Sequence, residues 1–253
     1  MLTFSLQSGS NGNAIYVEAG GVRLLFDCGI SAKLAAERMA ARGRDLRDLD
    51  ALVVSHEHID HVLGAGVVHR RYGTPVFMSY GTQRGARESL GELRRATLFG
   101  AGERIEFGPV RVQTFRTPHD ALEPVCFVVE FEGRRLGILT DLGTPTRRLA
   151  ELVETLDAAY LESNYDAEML AGGPYTPDLK RRIRGGRGHL SNGESAVLAA
   201  RGAARRLRWV AAAHLSAVNN TSELALAAHR AGVGSSFPVV VASRDAVGEV
   251  LEL

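Results

Sequence analysis

The sequence predicts an α/β protein, folded as a four-layer αββα sandwich. Two observations predict it. In each half of the 253-residue chain, short β-type runs come first, and helical runs alternating with strands come second. Two sheets packed face to face, with helices outside, bury the apolar faces that such halves leave. No Pro/Ser-rich linker, repeat or low-complexity segment divides the chain, so one domain over 1–253 is expected.

Apolar and β-branched runs at 2–6, 14–18 and 22–26 read as strands, separated by the turn-forming SGSNGN at 8–13 and by Gly20-Gly21. A helix over 31–41 follows and stops at Gly43. Next come a strand at 51–54, a helix over 63–72, a strand at 76–78 and a helix over 82–90. A second run of strands covers 104–107, 110–116, 126–132 and 135–140, the last two joined as a hairpin at Glu132-Gly133-Arg134. The pattern then changes to a helix over 147–156, a strand at 158–161, helices over 177–184 and 193–207, and a strand at 209–213. A helix over 222–231, a strand at 238–242 and a short strand at 249–252 complete it.

Composition bounds the function classes. Hydrophobic residues make up 45% and charged residues 23%, enough for an ordinary globular core. A net charge of +1 selects no partner by itself. Cys28 and Cys126 each follow an apolar stretch and form no close-spaced pair, the usage of a reduced intracellular protein. The start, MLTFSLQSGSNG, lacks the basic and apolar regions of a signal peptide. No apolar run approaches the ~20 residues of a membrane span. A soluble, cytoplasmic protein with no membrane partner is expected.

The chemistry concentrates in VSHEHIDH at 54–61, directly after the apolar run at 51–54. His56 and His58 are two apart and point the same way on an extended segment, while Asp60 and His61 begin the next helix. A sharp strand-to-helix turn of this kind offers donors to two neighbouring metals. Imidazole nitrogen and carboxylate oxygen suit zinc, manganese or iron. His119, Asp141 and His214 each follow a predicted strand, where a rigid scaffold displays chemistry. Together these seven groups suffice for two metals sharing a carboxylate.

HEHIDH with His119, Asp141 and His214 resembles the dinuclear site of the metallo-β-lactamase superfamily. The resemblance implies a metallo-β-lactamase sandwich with His56, His58 and His119 on one metal, Asp60, His61 and His214 on the other, and Asp141 bridging. The cofactors are then two divalent ions, Zn or Mn. Asp27, in LLFDCG, matches the superfamily's early aspartate, which supports the metal loop. Members that hydrolyse phosphodiesters keep the aspartate at Asp60, a catalytic position here. A two-metal site can activate water and clamp both attacking and leaving oxygens.

Three later stretches narrow the reading. Glu162 ends a strand in YLESNYD, His189 lies in RGHLSN, and His214 opens HLSAVNN. Ser191 and Glu194 have capping-box spacing, so His189 is expected beside free helix N–H groups that favour phosphate. His189 can donate a proton to a leaving oxygen, with Glu162 orienting it. Asn220 and Glu223 are expected to cap the helix after His214.

ESNYD, GHLSN, HLSAVNN, the N-terminal SLQSGSNGNAIYV and PHDALEPV closely resemble the YycJ/WalJ family of compact nucleases on this fold. The resemblance runs over about 3–220 and implies 5′-to-3′ exonuclease action on DNA. Glu162, His189 and His214 also resemble late motifs of the β-CASP nucleases, although the chain has no room for their cap domain. Tyr165 stands where the family leads one to expect a histidine, and Val218 where it leads one to expect an acid.

Charge points the same way. Over 177–208 there are nine basic residues against two acidic ones. Arg181, Arg182, Arg184 and Arg187 lead into His189 and, with Ser191, are candidate phosphate contacts. Tyr165 and Tyr175 would stack on bases or pack in the fold. The expectation is a dinuclear metal-dependent phosphodiesterase acting on nucleic acid, a DNA exonuclease. The alternatives are a small-molecule hydrolase, acting on a cyclic phosphodiester, thioester or lactone, and a non-catalytic nucleic-acid-binding scaffold.

Overall fold

The computed structural model describes residues 1–253. Its strands are β1 (Leu2–Gly9), β2 (Gly12–Ala19), β3 (Val22–Phe26), β4 (Ala51–Val53), β5 (Val76–Ser79), β6 (Ala96–Phe99) and β7 (Arg104–Phe107), then β8 (Val110–Arg116), β9 (Val125–Phe131), β10 (Arg134–Leu139), β11 (Ala158–Glu162), β12 (Trp209–Ala213), β13 (Val239–Val241) and β14 (Leu251–Glu252). The helices are α1 (Ala32–Ala40), α2 (Ile59–Val62), α3 (Ala65–Tyr72), α4 (Tyr80–Gly85), α5 (Arg87–Leu90), α6 (Arg147–Val153), α7 (Ala167–Gly172), α8 (Pro177–Arg184), α9 (Asn192–Ala203) and α10 (Ser222–Val233).

Two seven-stranded sheets result, in the orders β14-β1-β2-β3-β4-β5-β6 and β13-β12-β11-β10-β9-β8-β7. Each sheet is antiparallel over its leading strands and turns parallel, at β3–β4 in the first and at β10–β11 in the second. Strand alternation sorts the apolar residues into layers. Ile15 and Val17 of β2 face the other sheet, where they meet Phe127, Leu136, Ile138 and Trp209. Ala14 and Tyr16 face outward and pack with Met39 of α1 and Val68 of α3. On the second sheet, Leu139, Leu161 and Val210 face outward against Val153 of α6 and Leu198 of α9. The order of layers is helix, sheet, sheet, helix. None of the helices is long and apolar enough to cross a membrane.

Some elements differ from the sequence expectation. β6 is an edge strand paired with β5 alone, and its four-residue run is too short to separate from a loop by pattern. The helix expected over 82–90 is two, broken at Ala86 (φ −93°, ψ 7°). α7 adds a helix the sequence pattern does not predict; Asp166 caps it, accepting from the N–H groups of Glu168 and Met169. The cap of α10 is Thr221, which accepts from Leu224 N–H, while Asn220 turns inward to Asn192 and to the Ser163 and Asn164 carbonyls.

The parallel strands β3, β4, β10, β11 and β12 end on one rim, and the next residues turn sharply. Asp27, Asp141 and His214 take φ values of 60°, 57° and 57°. Non-glycine residues in that left-handed region are uncommon, Asp and His being better tolerated than most, and they cluster at functional sites. The rim is stitched together by backbone. Cys28 N–H donates to the His61 carbonyl at 2.9 Å, and Gly64 N–H to the Cys28 carbonyl at 2.8 Å. A Cβ on Gly29 would sit 1.6 Å from the Asp60 carbonyl oxygen, so only glycine permits this approach. Gly29→Ala is therefore expected to cost roughly 3 kcal/mol, the upper end for overpacking, and to lower Tm by about 10 °C. Thermal unfolding of the variant checks it; an unchanged Tm would show that the two segments separate freely.

Candidate active site

Two clusters of donors meet on this rim. His56 and His58 lie on the extended segment between β4 and α2, and His119 on the loop after β8. His58 Nδ1 stands 3.1 Å from His56 Nε2 and 3.3 Å from His119 Nε2. Asp60 and His61 lie in the single turn of α2, and His214 follows β12. Asp60 Oδ2 is 3.6 Å from His61 Nε2 and 3.3 Å from His214 Nε2. Within each cluster the donor atoms fall within 4.8 Å of one another. Asp141 faces both. Its Oδ2 is 3.2 Å from His61 Nε2, and its Oδ1 is 3.5 Å from His119 Nε2 and 3.7 Å from His214 Nε2.

Hydrogen bonds behind these rings set which nitrogen faces the cavity. Asp27, an acceptor when ionised, lies 2.8 Å from His61 Nδ1, and its carboxylate also receives Ser55 N–H at 2.7 Å. His61 therefore donates from Nδ1 and turns Nε2 to Asp141. His119 Nδ1 likewise donates to the Gly188 carbonyl at 3.1 Å, leaving Nε2 for the site.

The donor set fits a divalent cation. Asp141 Oδ2 is buried and receives no hydrogen bond of acceptable geometry. It faces His61 Nε2, a lone pair when that imidazole is neutral, and only a proton or a cation between them relieves the repulsion. The titration of the groups agrees. Burial works against charge on His61, yet the carboxylates of Asp27, Asp141 and Asp60 outweigh it and hold its pKa well above the ordinary value. Against burial, Asp141, Asp60 and Glu162 raise His214 to about 10. Burial would push the Asp141 carboxyl up, but His214, His61 and His119 hold it well below the usual range. His61 and His214 thus hold protons that divalent ions would displace and release on binding.

A second constellation adjoins the first. Glu162, fully buried at the end of β11, accepts from His189 Nδ1 at 2.7 Å and from the N–H groups of Leu142 and Leu190 at 2.9 and 3.2 Å. Burial alone would raise its pKa; the charge and hydrogen bond of His189 and the bond to His214 hold it at about 2. The His189 ring lies 5.1 Å from that of His119 and 5.2 Å from that of His214, centroid to centroid. Its Nε2 is the nitrogen free for a substrate.

Other expected contacts fare differently. The N–H groups at 189–192 are all used internally: His189 to the Ile183 carbonyl, Leu190 to Glu162, Ser191 to Glu194 and Asn192 to the Tyr165 carbonyl. Those four N–H groups are committed within the protein, which leaves Gly193 N–H as the donor without a partner at this helix start. The Ser191 hydroxyl is also committed, donating to Glu194 Oε2 at 2.8 Å, so Ser191 holds no free donor for phosphate. Tyr165 is buried and packs rather than stacks.

Of the α8 arginines, Arg181 pairs with Asp178, and Arg182 Nε donates to Asp120 at 2.6 Å. Arg184, and Arg187 in the loop just beyond α8, are exposed and have no carboxylate partner. The later cluster is structural. Arg201 and Arg205 pair with Glu154, and Arg206 with Asp157, at the opposite end of β11 from Glu162. That end is roughly 16 Å away at ~3.3 Å per strand residue. Sequence reading missed Asp120, whose Oδ1 lies 3.4 Å from His119 Nε2 and whose tie to Arg182 couples α8 to the metal loop. The signal was available in the acid directly after His119.

A family model described as the metallo-beta-lactamase superfamily matches residues 8–175. The exodeoxyribonuclease WalJ of Streptococcus pneumoniae is 35% identical, over 98% of this chain and 96% of that protein. The exodeoxyribonuclease YycJ of Bacillus anthracis is 33% identical, over 92% of each. Among solved structures, the metallo-beta-lactamase fold protein YhfI of Bacillus subtilis superposes with a TM-score of 0.78 at 15% identity, covering 100% of this chain and 99% of that one.

Proposed function

Because the chain belongs to the metallo-β-lactamase superfamily, and within it to the WalJ/YycJ family, we propose that it is a dinuclear metal-dependent nuclease, a 5′-to-3′ exonuclease acting on DNA. The observation that carries this reading is the convergence of seven donors on two clusters that both face Asp141. In it, His56, His58 and His119 hold one ion, Asp60, His61 and His214 the other, and Asp141 both. Zinc and manganese suit such nitrogen and oxygen donors. When bound, the ions supply Lewis-acid charge beside a phosphodiester and acidify water at neutral pH.

The protein's own groups do the rest. Asp27 and Ser55 fix the His61 ring from behind. Glu162 fixes His189, so that His189 Nε2 delivers a proton to the leaving oxygen. Arg184 and Arg187, together with the terminal nitrogens of Arg182, face solvent beside the site and meet neighbouring phosphates. Ser191 supports this wall through its cap rather than by touching phosphate. The two buried free thiols accord with work in the reducing cytoplasm.

A substrate comparison tests the reading. The metal-loaded protein is offered 5′-phosphorylated DNA, matched RNA, a cyclic nucleotide and a lactone. Release of mononucleotides from the DNA 5′ end, well above turnover of the small esters, is expected. Turnover of a small ester with both polymers intact would instead identify a small-molecule hydrolase. Binding of DNA without any turnover would identify a scaffold.

A further inference from the structure

The unpaired arginines nearest the site are not confined to α8. Arg84, on α4, and Arg116, at the end of β8, line one open groove of about 370 Å³ with Tyr80 and Leu122. Tyr80 is 63% exposed and Leu122 45%, so both present apolar surface to the groove. Neither arginine has a carboxylate partner. The acid in the groove is already spent, because Glu123 accepts from the N–H groups of Gly81 and Ala101 at 2.9 and 3.3 Å.

One hydrogen bond joins the groove's wall to the loop that carries the site histidines. Leu122 N–H donates to Glu57 Oε1 at 2.7 Å, and Glu57 stands between His56 and His58. The Ser79 hydroxyl donates to the Glu123 carbonyl at 3.0 Å, tying Tyr80's neighbour to the same loop. That loop begins at His119 and Asp120, where Arg182 is bound on its other flank. The loop thus separates two cationic walls, α8 on one side and the Tyr80 groove on the other.

We propose that the Tyr80–Leu122 groove is a second nucleic-acid contact, which stacks an unpaired base of the substrate strand on Tyr80 and holds its flanking phosphates with Arg84 and Arg116. The inference rests on the nuclease reading. An exposed aromatic between free guanidiniums is the chemistry of single-strand binding, because stacking accepts any base and the guanidinium forks bind phosphate. A substrate gripped here and at α8 spans the metal clusters.

Binding of a phosphorothioate-linked oligothymidylate of about 16 nucleotides, which resists cleavage, tests it by fluorescence anisotropy on the metal-loaded protein. Tyr80→Ala is expected to weaken binding about tenfold, and Tyr80→Phe to restore it, since the ring alone stacks. Arg84→Glu with Arg116→Glu is expected to weaken binding further and to reduce the salt dependence by roughly 1.4 in the log–log slope, the value for two lost single-strand phosphate contacts. The side chains are exposed, so the variants should unfold at the wild-type temperature. Wild-type affinity in both variants overturns the proposal and leaves the face to a protein partner. A wild type that cleaves DNA while the variants bind normally sinks the groove alone. A wild type that neither binds nor cleaves sinks the nuclease reading with it.

Discussion

Asp141→Asn is expected to lower turnover roughly a thousandfold and to reduce bound metal, because it removes the charge that faces both clusters. Loss of one electrostatic stabiliser at a reacting centre costs about 10²–10³-fold in kcat. Asparagine is the right replacement. Asp141 has φ 57°, a conformation asparagine tolerates and alanine does not, so the variant separates loss of charge from backbone strain. The variant amide can also satisfy the Oδ2 position that is buried without a hydrogen bond. Metal content by mass spectrometry and turnover on one preparation check this. Full metal occupancy with turnover within a few-fold of wild type would remove Asp141 from the site.

His189→Ala carries the second large effect, and it should act without disturbing the metals. Loss of a general acid typically costs about 10²–10⁴-fold in kcat. His189 bonds to Glu162 and to no cluster donor other than a 3.6 Å approach to Asp141, so the clusters remain supported by Asp27 and Gly188. The split between turnover and metal content distinguishes chemistry from structure: kcat should fall while bound metal per chain stays at the wild-type value. Glu162 is held at about 2, so it stays ionised over the whole working range and keeps its hold on His189. Equal loss of metal and kcat in His189→Ala would make His189 a structural residue.

Sequence pattern carries far in this chain where chemistry is local. Two histidines at alternate positions and an Asp-His pair at the helix start lie within six residues, and strand ends supply the rest. The layered fold was legible for the same reason, since period-two apolar runs such as Ile15/Val17 against Ala14/Tyr16 mark two buried faces. What pattern does not carry is long-range pairing. Arg182 reads as a free phosphate contact until Asp120, 62 residues away, is seen beside it. Arg206 likewise belongs to Asp157 at the far end of the sheet. The N–H groups before α9 look free in sequence, but Tyr165, Ile183 and Glu162 take them. Arg84 and Arg116 form no charge run, and only the fold gathers them with Tyr80. The left-handed turns at Asp27, Asp141 and His214 leave no mark in the pattern either, because the run of apolar residues ends where they begin.

Cleavage of end-labelled duplex DNA, titrated with manganese or zinc, is the most direct measurement of the central claim. The account predicts that mononucleotides leave the 5′ end, that the rate saturates near about two metal equivalents per chain, and that Asp60→Ala is inactive. A fully loaded protein that leaves DNA intact, or an Asp60→Ala variant as active as wild type, would contradict it.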